Sequence, residues 1–330
     1  MAQKPTLYLH IGHAKAGSTT LQAFLFRNWQ QICRAGFALP TARLGLAEGD
    51  TPPGNPLGAL QDIKASGDIS PLERWITAAT QKYNKHILSS ECLFELKWPK
   101  LFTKLTDLVD IQLIYYVRRQ DEILLSAWRQ WGLKKGLSLG DFITERLETG
   151  QPDYWSNMAP WINKVGLVGH HVRFTSAPFL KGGSILSDFC DHLELDMAEM
   201  AHVENQNVSH DARLLEFMSH RPELFSSVHD DSIFELLRDK SQTRPDYRLR
   251  LTEAQFDAVH RTFEARNQGF LGKFHAEAQG TAAIERSSAP VQLDSETITE
   301  DMQRAYVRER LATIPYCLDP RIIALRTELA

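Results

Sequence analysis

A chain of 330 residues with 43% hydrophobic side chains can fill the core of one large α/β domain or of two smaller ones. Its formal net charge of −4 argues against a general nucleic-acid binder. The four cysteines, Cys33, Cys92, Cys190 and Cys317, have neither metal-ligand nor redox spacing, which predicts free thiols in a reducing compartment.

MAQKPT leads directly into the first strand without a signal peptide, and no apolar run is long enough to span a bilayer. A cytoplasmic location is therefore expected. Residues 7–22, LYLHIGHAKAGSTTLQ, then predict a strand, a small-residue turn from Gly12 to Gly17, and a helix. Ser18, Thr19 and Thr20 open that helix, and Leu21, Phe24 and Leu25 follow at helical spacing. Such a turn aims backbone N–H groups and the positive end of the helix dipole at one spot suited to a phosphate. Lys15 adds a mobile cation and the hydroxyls add donors. Gly12 and Gly17 have the five-residue separation of a nucleotide-binding P-loop, G-x-x-x-x-G-K-[ST]. The position after Gly17 is Ser18, however, and the lysine sits inside the loop. His13 lies just past the strand, where its imidazole either touches a ligand or serves backbone geometry alone.

Residues 40–72, rich in Pro, Gly and Ala and including TPPGNPLG, predict a long loop, a lid or an acceptor-side insertion. A helix is predicted over Leu72 to Tyr83. HILSSECLF, residues 86–94, then predicts a central strand with Ser89, Ser90 and Glu91 at its end. Three roles are open to Glu91: a base taking the proton of a hydroxyl, a helix-capping acid, or a magnesium ligand.

Residues 111–131, IQLIYYVRRQDEILLSAWRQW, begin as a strand buried on both faces. Arg118 and Arg119 stand at its carboxyl end, where open α/β sheets bind ligands. Ile123, Leu124, Ala127, Trp128 and Trp131 continue as a helical stripe. Ser126 lies eight residues after Arg118, and a guanidinium with a hydroxyl suits a second phosphate. For Arg119, solvation is at least as good a reading as ligand contact. Trp128 and Trp131 read as core, Tyr154 and Trp155 less so, and Lys134 and Lys135 as a solvated helix end. HVRF, 171–174, is a short strand, followed by the turn Lys181-Gly182-Gly183 and a helical stripe from Ile185 to Leu193. Helices follow over 211–220, 231–239 and 252–267, with a final one at about 299–313. The expected organisation is an α/β domain over 1–276, a polar linker or exposed loop over 277–297, and a helical segment over 298–330.

The pattern H-I-G-x-x-K-x-G-[ST]-[ST], the strand ending in Glu91 and the eight-residue Arg–Ser pair together resemble the bacterial-type sulfotransferase family. Its members use 3′-phosphoadenosine 5′-phosphosulfate (PAPS) as donor. The resemblance covers about residues 7–27, 86–94 and 111–135, is weak over 170–195 and is nearly absent beyond 270. It implies a P-loop-like fold with a central parallel sheet flanked by helices and a mostly helical C-terminal part. It also implies that Gly12, Lys15, Ala16, Gly17, Ser18, Thr19 and Thr20 hold the 5′-phosphosulfate, and that Arg118 and Ser126 hold the 3′-phosphate. The family often has Thr where this chain has Ala16. Lys15 would neutralise charge on the leaving oxygen and Glu91 would be the base, with His13 the next candidate. The acceptor would be a small-molecule or carbohydrate hydroxyl, and no metal is required by this layout. Two alternatives stay open: a P-loop kinase or nucleoside triphosphatase using Mg²⁺, and a non-catalytic nucleotide-binding protein.

Overall fold

A computed structural model describes residues 4–13, 15–203, 210–238, 245–274 and 292–330. The chain divides into two compact units. The first comprises Met1–Arg119, Asp153–Gln206 and Ala265–Ala283, and the second Gln120–Pro152, Asn207–Glu264 and Ile284–Ala330.

The first unit is built on five strands: β1 (Thr6–Ile11), β2 (Phe37–Ala38), β3 (Lys85–Ser90), β4 (Asp110–Val117) and β5 (Gly169–Phe174). They form a parallel sheet in the order β2-β3-β1-β4-β5. β1 is central, with Ile11 opposite Ser90 of β3 and His10 opposite Ile114 of β4. The last five residues of β4 are all buried, because helices cover both faces of a parallel sheet. Side chains alternate between the faces. On one, Trp75 of the helix Ser70–Thr80 packs on the His86 ring at 5.8 Å between centroids. On the other, Leu21, Phe24 and Leu25 of the helix Ser18–Arg27 share a core with Ile114 and with Phe189 and Leu193 of the helix Ile185–Leu193.

The second unit is mostly helical, with a two-stranded parallel sheet of β6 (Arg248–Arg250) and β7 (Gln292–Asp294). Its core gathers Trp128, Phe142, Phe217, Met218, Phe234 and Phe263. The helix after Arg119 runs only from Gln120 to Ala127 before a π-helical turn, Trp128–Gly132. A side chain at Gly132 would stand 2.7 Å from the Phe142 ring, so this close approach requires glycine.

The α/β class, the parallel sheet and the helical C-terminal part agree with the sequence. The expected loop 40–72 is in part helical, with Leu57–Ser66 carrying Leu60 and Ile63 into the core. The next helix begins at Ser70, and a further helix, Pro320–Leu329, follows Glu300–Thr313. Of the expected linker, 277–291 lies outside the described residues, and the remainder forms β7 and the turn Ser295–Thr297. Lys134 is not a solvated helix end: it is buried, and its Nζ donates to Val228 O at 3.0 Å and Asp231 Oδ1 at 2.8 Å. Two polar partners compensate its desolvation. Arg119 is buried rather than solvated, and Tyr154 is fully buried. Among the described residues no helix is long and apolar enough to cross a membrane.

Candidate functional site

The parallel register brings the carboxyl ends of β1, β3 and β4 side by side. Gly12, just past β1, donates its N–H to Ser90 O, the last residue of β3, at 3.2 Å. A Cβ at Gly12 would lie 2.2 Å from Ser18 Oγ and 3.2 Å from Glu91 Cα. Only a residue without a side chain fits there, and the close approach sets the loop against the start of the turn Glu91–Phe94.

Within the loop, Ala16 N–H donates to His13 O at 3.1 Å. Lys15 and Gly17 both have left-handed backbone, at φ 67° and 90°. For Lys15 this is a strained conformation, costing about 1–2 kcal/mol, of the kind that clusters at ligand-binding loops. At Gly17 a Cβ would meet Ile185 Cδ1 at 2.4 Å, so the loop is backed by the first residue of the helix Ile185–Leu193. Gly17 caps the helix Ser18–Arg27 without a side-chain hydrogen bond, and no acidic residue occupies its first turn. The first intrahelical bond is Leu21 N–H to Gly17 O at 3.1 Å. The amides of Ser18, Thr19 and Thr20 therefore precede the helical ladder, and with the dipole they suit an anion. Ser18 is buried, its Oγ 3.4 Å from His13 O, while Thr19 is exposed and Thr20 half-buried.

Arg118 follows β4 directly. Its guanidinium donates to Lys15 O at 3.5 Å, so the end of β4 reaches back to the loop of β1. Its own carbonyl accepts from the Tyr154 hydroxyl. Tyr154 also packs edge-on against His13, with ring centroids 5.5 Å apart, and Phe94 lies 5.0 Å from His13 on its other contact. His13 is accordingly buried among rings as part of the wall of this site.

Glu91 is half-buried at the end of β3. Its Oε2 accepts from Gln22 Nε2 at 2.9 Å and from Asn55 Nδ2 at 3.4 Å. Asn55 Nδ2 also donates to Gln22 Oε1 at 3.2 Å, and Asn55 Oδ1 accepts from Ser90 Oγ at 3.1 Å. Gln22 stands one turn along the helix from Ser18, and Asn55 belongs to TPPGNPLG.

The first unit thus unites Gly12, His13, Lys15, Ala16, Gly17, Ser18, Thr19, Thr20, Glu91 and Arg118 at one end of its sheet. Ser126 falls on the helix Gln120–Ala127 of the second unit, so its pairing with Arg118 is carried by spacing in the sequence. Gln22 and Asn55 were not legible as site residues, because neutral amides have no motif of their own; Tyr154 was legible only as one of a cluster of aromatics, and its bond to Arg118 O was not. Among the described residues no group of three or more His, Cys, Asp or Glu gathers to hold a metal ion. Compared with protein-family models, curated proteins and solved structures, the chain matches none.

Proposed function

We propose that this chain is a PAPS-dependent sulfotransferase that moves a sulfuryl group to an acceptor hydroxyl. The observation that carries the reading is the convergence of three strand ends: a left-handed glycine loop holding Lys15, the carboxylate of Glu91, and the guanidinium of Arg118 at Lys15 O. The uncapped amides of the helix Ser18–Arg27 fit an anionic group, and so does the charge of Lys15. The displaced lysine and the resemblance in the sequence favour a phosphosulfate over a nucleoside triphosphate. A carbohydrate hydroxyl is the acceptor class this reading favours, on the same resemblance.

Each residue then has a task. The amides of Ser18, Thr19 and Thr20 bind the 5′-phosphosulfate. Lys15 neutralises charge growing on the leaving phosphate oxygen, an effect strongest in the transition state. Arg118 holds the donor's far phosphate and so orients the sulfuryl group. Glu91 takes the proton of the acceptor hydroxyl.

The test is binding of 3′-phosphoadenosine 5′-phosphate (PAP), measured by thermal shift and calorimetry without metal. At a hundredfold excess over its dissociation constant PAP should add about 2.7 kcal/mol of stability, with ADP adding much less. Arg118→Ala should weaken PAP binding by about 2–3 kcal/mol, since it removes a charge-assisted contact. Equal binding of ADP, or an absolute need for Mg²⁺, would overturn the reading in favour of a kinase or nucleoside triphosphatase. PAP binding without any sulfuryl transfer would favour the non-catalytic alternative.

A further inference from the structure

Resting on the transferase reading, we propose that Gln22 and Asn55 are positioning residues for Glu91, fastening its Oε2 so that Oε1 takes the acceptor proton. The segment that supplies Asn55 thereby belongs to the acceptor end of the site.

The hydrogen bonds run in one direction. Ser90 Oγ donates to Asn55 Oδ1, Asn55 Nδ2 donates to Gln22 Oε1 and to Glu91 Oε2, and Gln22 Nε2 donates to Glu91 Oε2. The chain ends on a carboxylate, which when ionised only accepts. Rotating either amide by half a turn would set oxygen against oxygen at Glu91, so the network fixes both amide orientations. Both donors take the same carboxylate oxygen. Two bonds to Oε2 remove the free rotation of the carboxyl group and leave Oε1 on the far side of the fork.

The anchors are themselves held. Ser90 is the buried last residue of β3, directly before Glu91. Gln22 stands on the helix that follows the glycine loop, so one helix both continues the loop and bonds the carboxylate. Asn55 is flanked by Gly54, whose N–H donates to Pro40 O at 3.0 Å, and by Pro56, which precedes the helix Leu57–Ser66. A Cβ at Gly54 would lie 3.0 Å from Ala42, so residues 40–56 fold back tightly on themselves before presenting Asn55.

In the step itself the acceptor oxygen forms a bond to sulfur as the bond from sulfur to the 5′-phosphate oxygen breaks. PAP leaves, and the acceptor proton passes to Glu91 Oε1. A base misplaced by about 1 Å can lose about a hundredfold in rate, so the alignment matters.

The test compares Gln22→Leu and Asn55→Leu, each alone and combined with Glu91→Gln. PAP affinity is read by calorimetry, and transfer from PAPS is followed with N-acetylglucosamine and p-nitrophenol as probe acceptors. Each leucine should lower kcat about tenfold while PAP affinity holds within about twofold. In the Glu91→Gln background neither leucine should lower kcat further, since a residue acting through Glu91 has nothing left to position. Should a leucine unfold the protein, the alanine variants are measured in its place, with stabilisation by PAP reporting a folded site. Losses that add to that of Glu91→Gln, or no loss at all, would overturn the positioning role alone. A wild type that binds no PAP, or that sulfates neither probe, would overturn the transferase reading and this role with it.

Discussion

Two carboxylates of the first unit are each held by several donors, and their settings differ. Glu91 is half-buried at the end of the sheet and takes its bonds from two side-chain amides, both on the same oxygen. Asp188 lies inside, against the face of the sheet that carries Tyr116 and His171. The Tyr116 hydroxyl donates to its Oδ1 at 2.7 Å, His171 Nε2 lies 2.5 Å from the same oxygen, and Lys181 N–H donates to Oδ2 at 2.9 Å. Around it stand His192, stacked on His171 at 4.0 Å, and Gln112, 3.2 Å from His192. Burial alone would raise the Asp188 pKa, and the bonds from His171, Lys181 N–H and Tyr116 outweigh it, so the net shift is downward. Asp188 is saturated with fixed partners and is a lock between β4, β5 and the helix Ile185–Leu193. Glu91 keeps an oxygen outside its amide fork, which is what a group must have to exchange protons with a ligand.

The sharpest way to break the comparison is to remove the charge from each carboxylate. Glu91→Gln should lower sulfuryl transfer by about 10²–10⁴ while stability and PAP affinity stay near wild type. Full activity in this variant would move the base elsewhere. Asp188→Asn should do the reverse. If the new NH2 turns to Lys181 N–H it sets donor against donor, and if it turns to the Tyr116 hydroxyl and His171 Nε2 both must change from donating to accepting. Either way the charge that held the cluster is gone, at a cost of about 3 kcal/mol in stability. Urea unfolding reads this loss, and the folded fraction should bind PAP as tightly as wild type. An unchanged unfolding midpoint would remove Asp188 from its structural role.

A smaller effect distinguishes the same two regions by pH. Burial pushes His10 down from 6.5 to about 4, its Nδ1 2.8 Å from Ser89 Oγ. Burial, with the neighbouring His171, does the same to His192. The unfolded chain takes up both protons near pH 6.5, whereas the native state takes them up only near pH 4. The stability these rings contribute is present above pH 6.5 and is lost as pH falls towards 4. The lowered carboxyl of Asp188 adds a second loss at still lower pH, as the solution passes from 3.8 down through its native value. The fall in urea midpoint from pH 7.5 to pH 5 should be smaller in His10→Asn than in wild type, and an equal fall in the two would contradict this account of the interior.

Much of the site was legible because its signals are local. The loop shows its glycines, the strands β3 and β4 show their apolar runs, and Glu91 and Arg118 stand at positions where parallel sheets expose residues. What was not legible depends on partners distant in sequence. Lys134 reads as solvated because the partners that hold it, Val228 and Asp231, are 94 and 97 residues away. The helix Leu57–Ser66 is hidden by its flanks: Pro56 and Gly58 outweigh the single repeat of Leu60 and Ile63. The interior lock is hidden for another reason. Tyr116, His171 and Asp188 read as parts of a strand, a strand and a helix stripe, and only the register sets them on one face.

The separation in sequence across the site has a kinetic side. His10 meets Ser89 across 79 residues, and Arg118 reaches Lys15 across 103. Parallel pairing of such remote segments is slow, because long loops must close before any contact rewards them. A nascent chain that has emerged only as far as β3 carries the glycine loop and Glu91 but lacks the strand that brings Arg118. The loop and Arg118 would then come together only when β4 docks beside β1, and a ligand held by both strand ends would act as a clasp that slows the sheet from opening again.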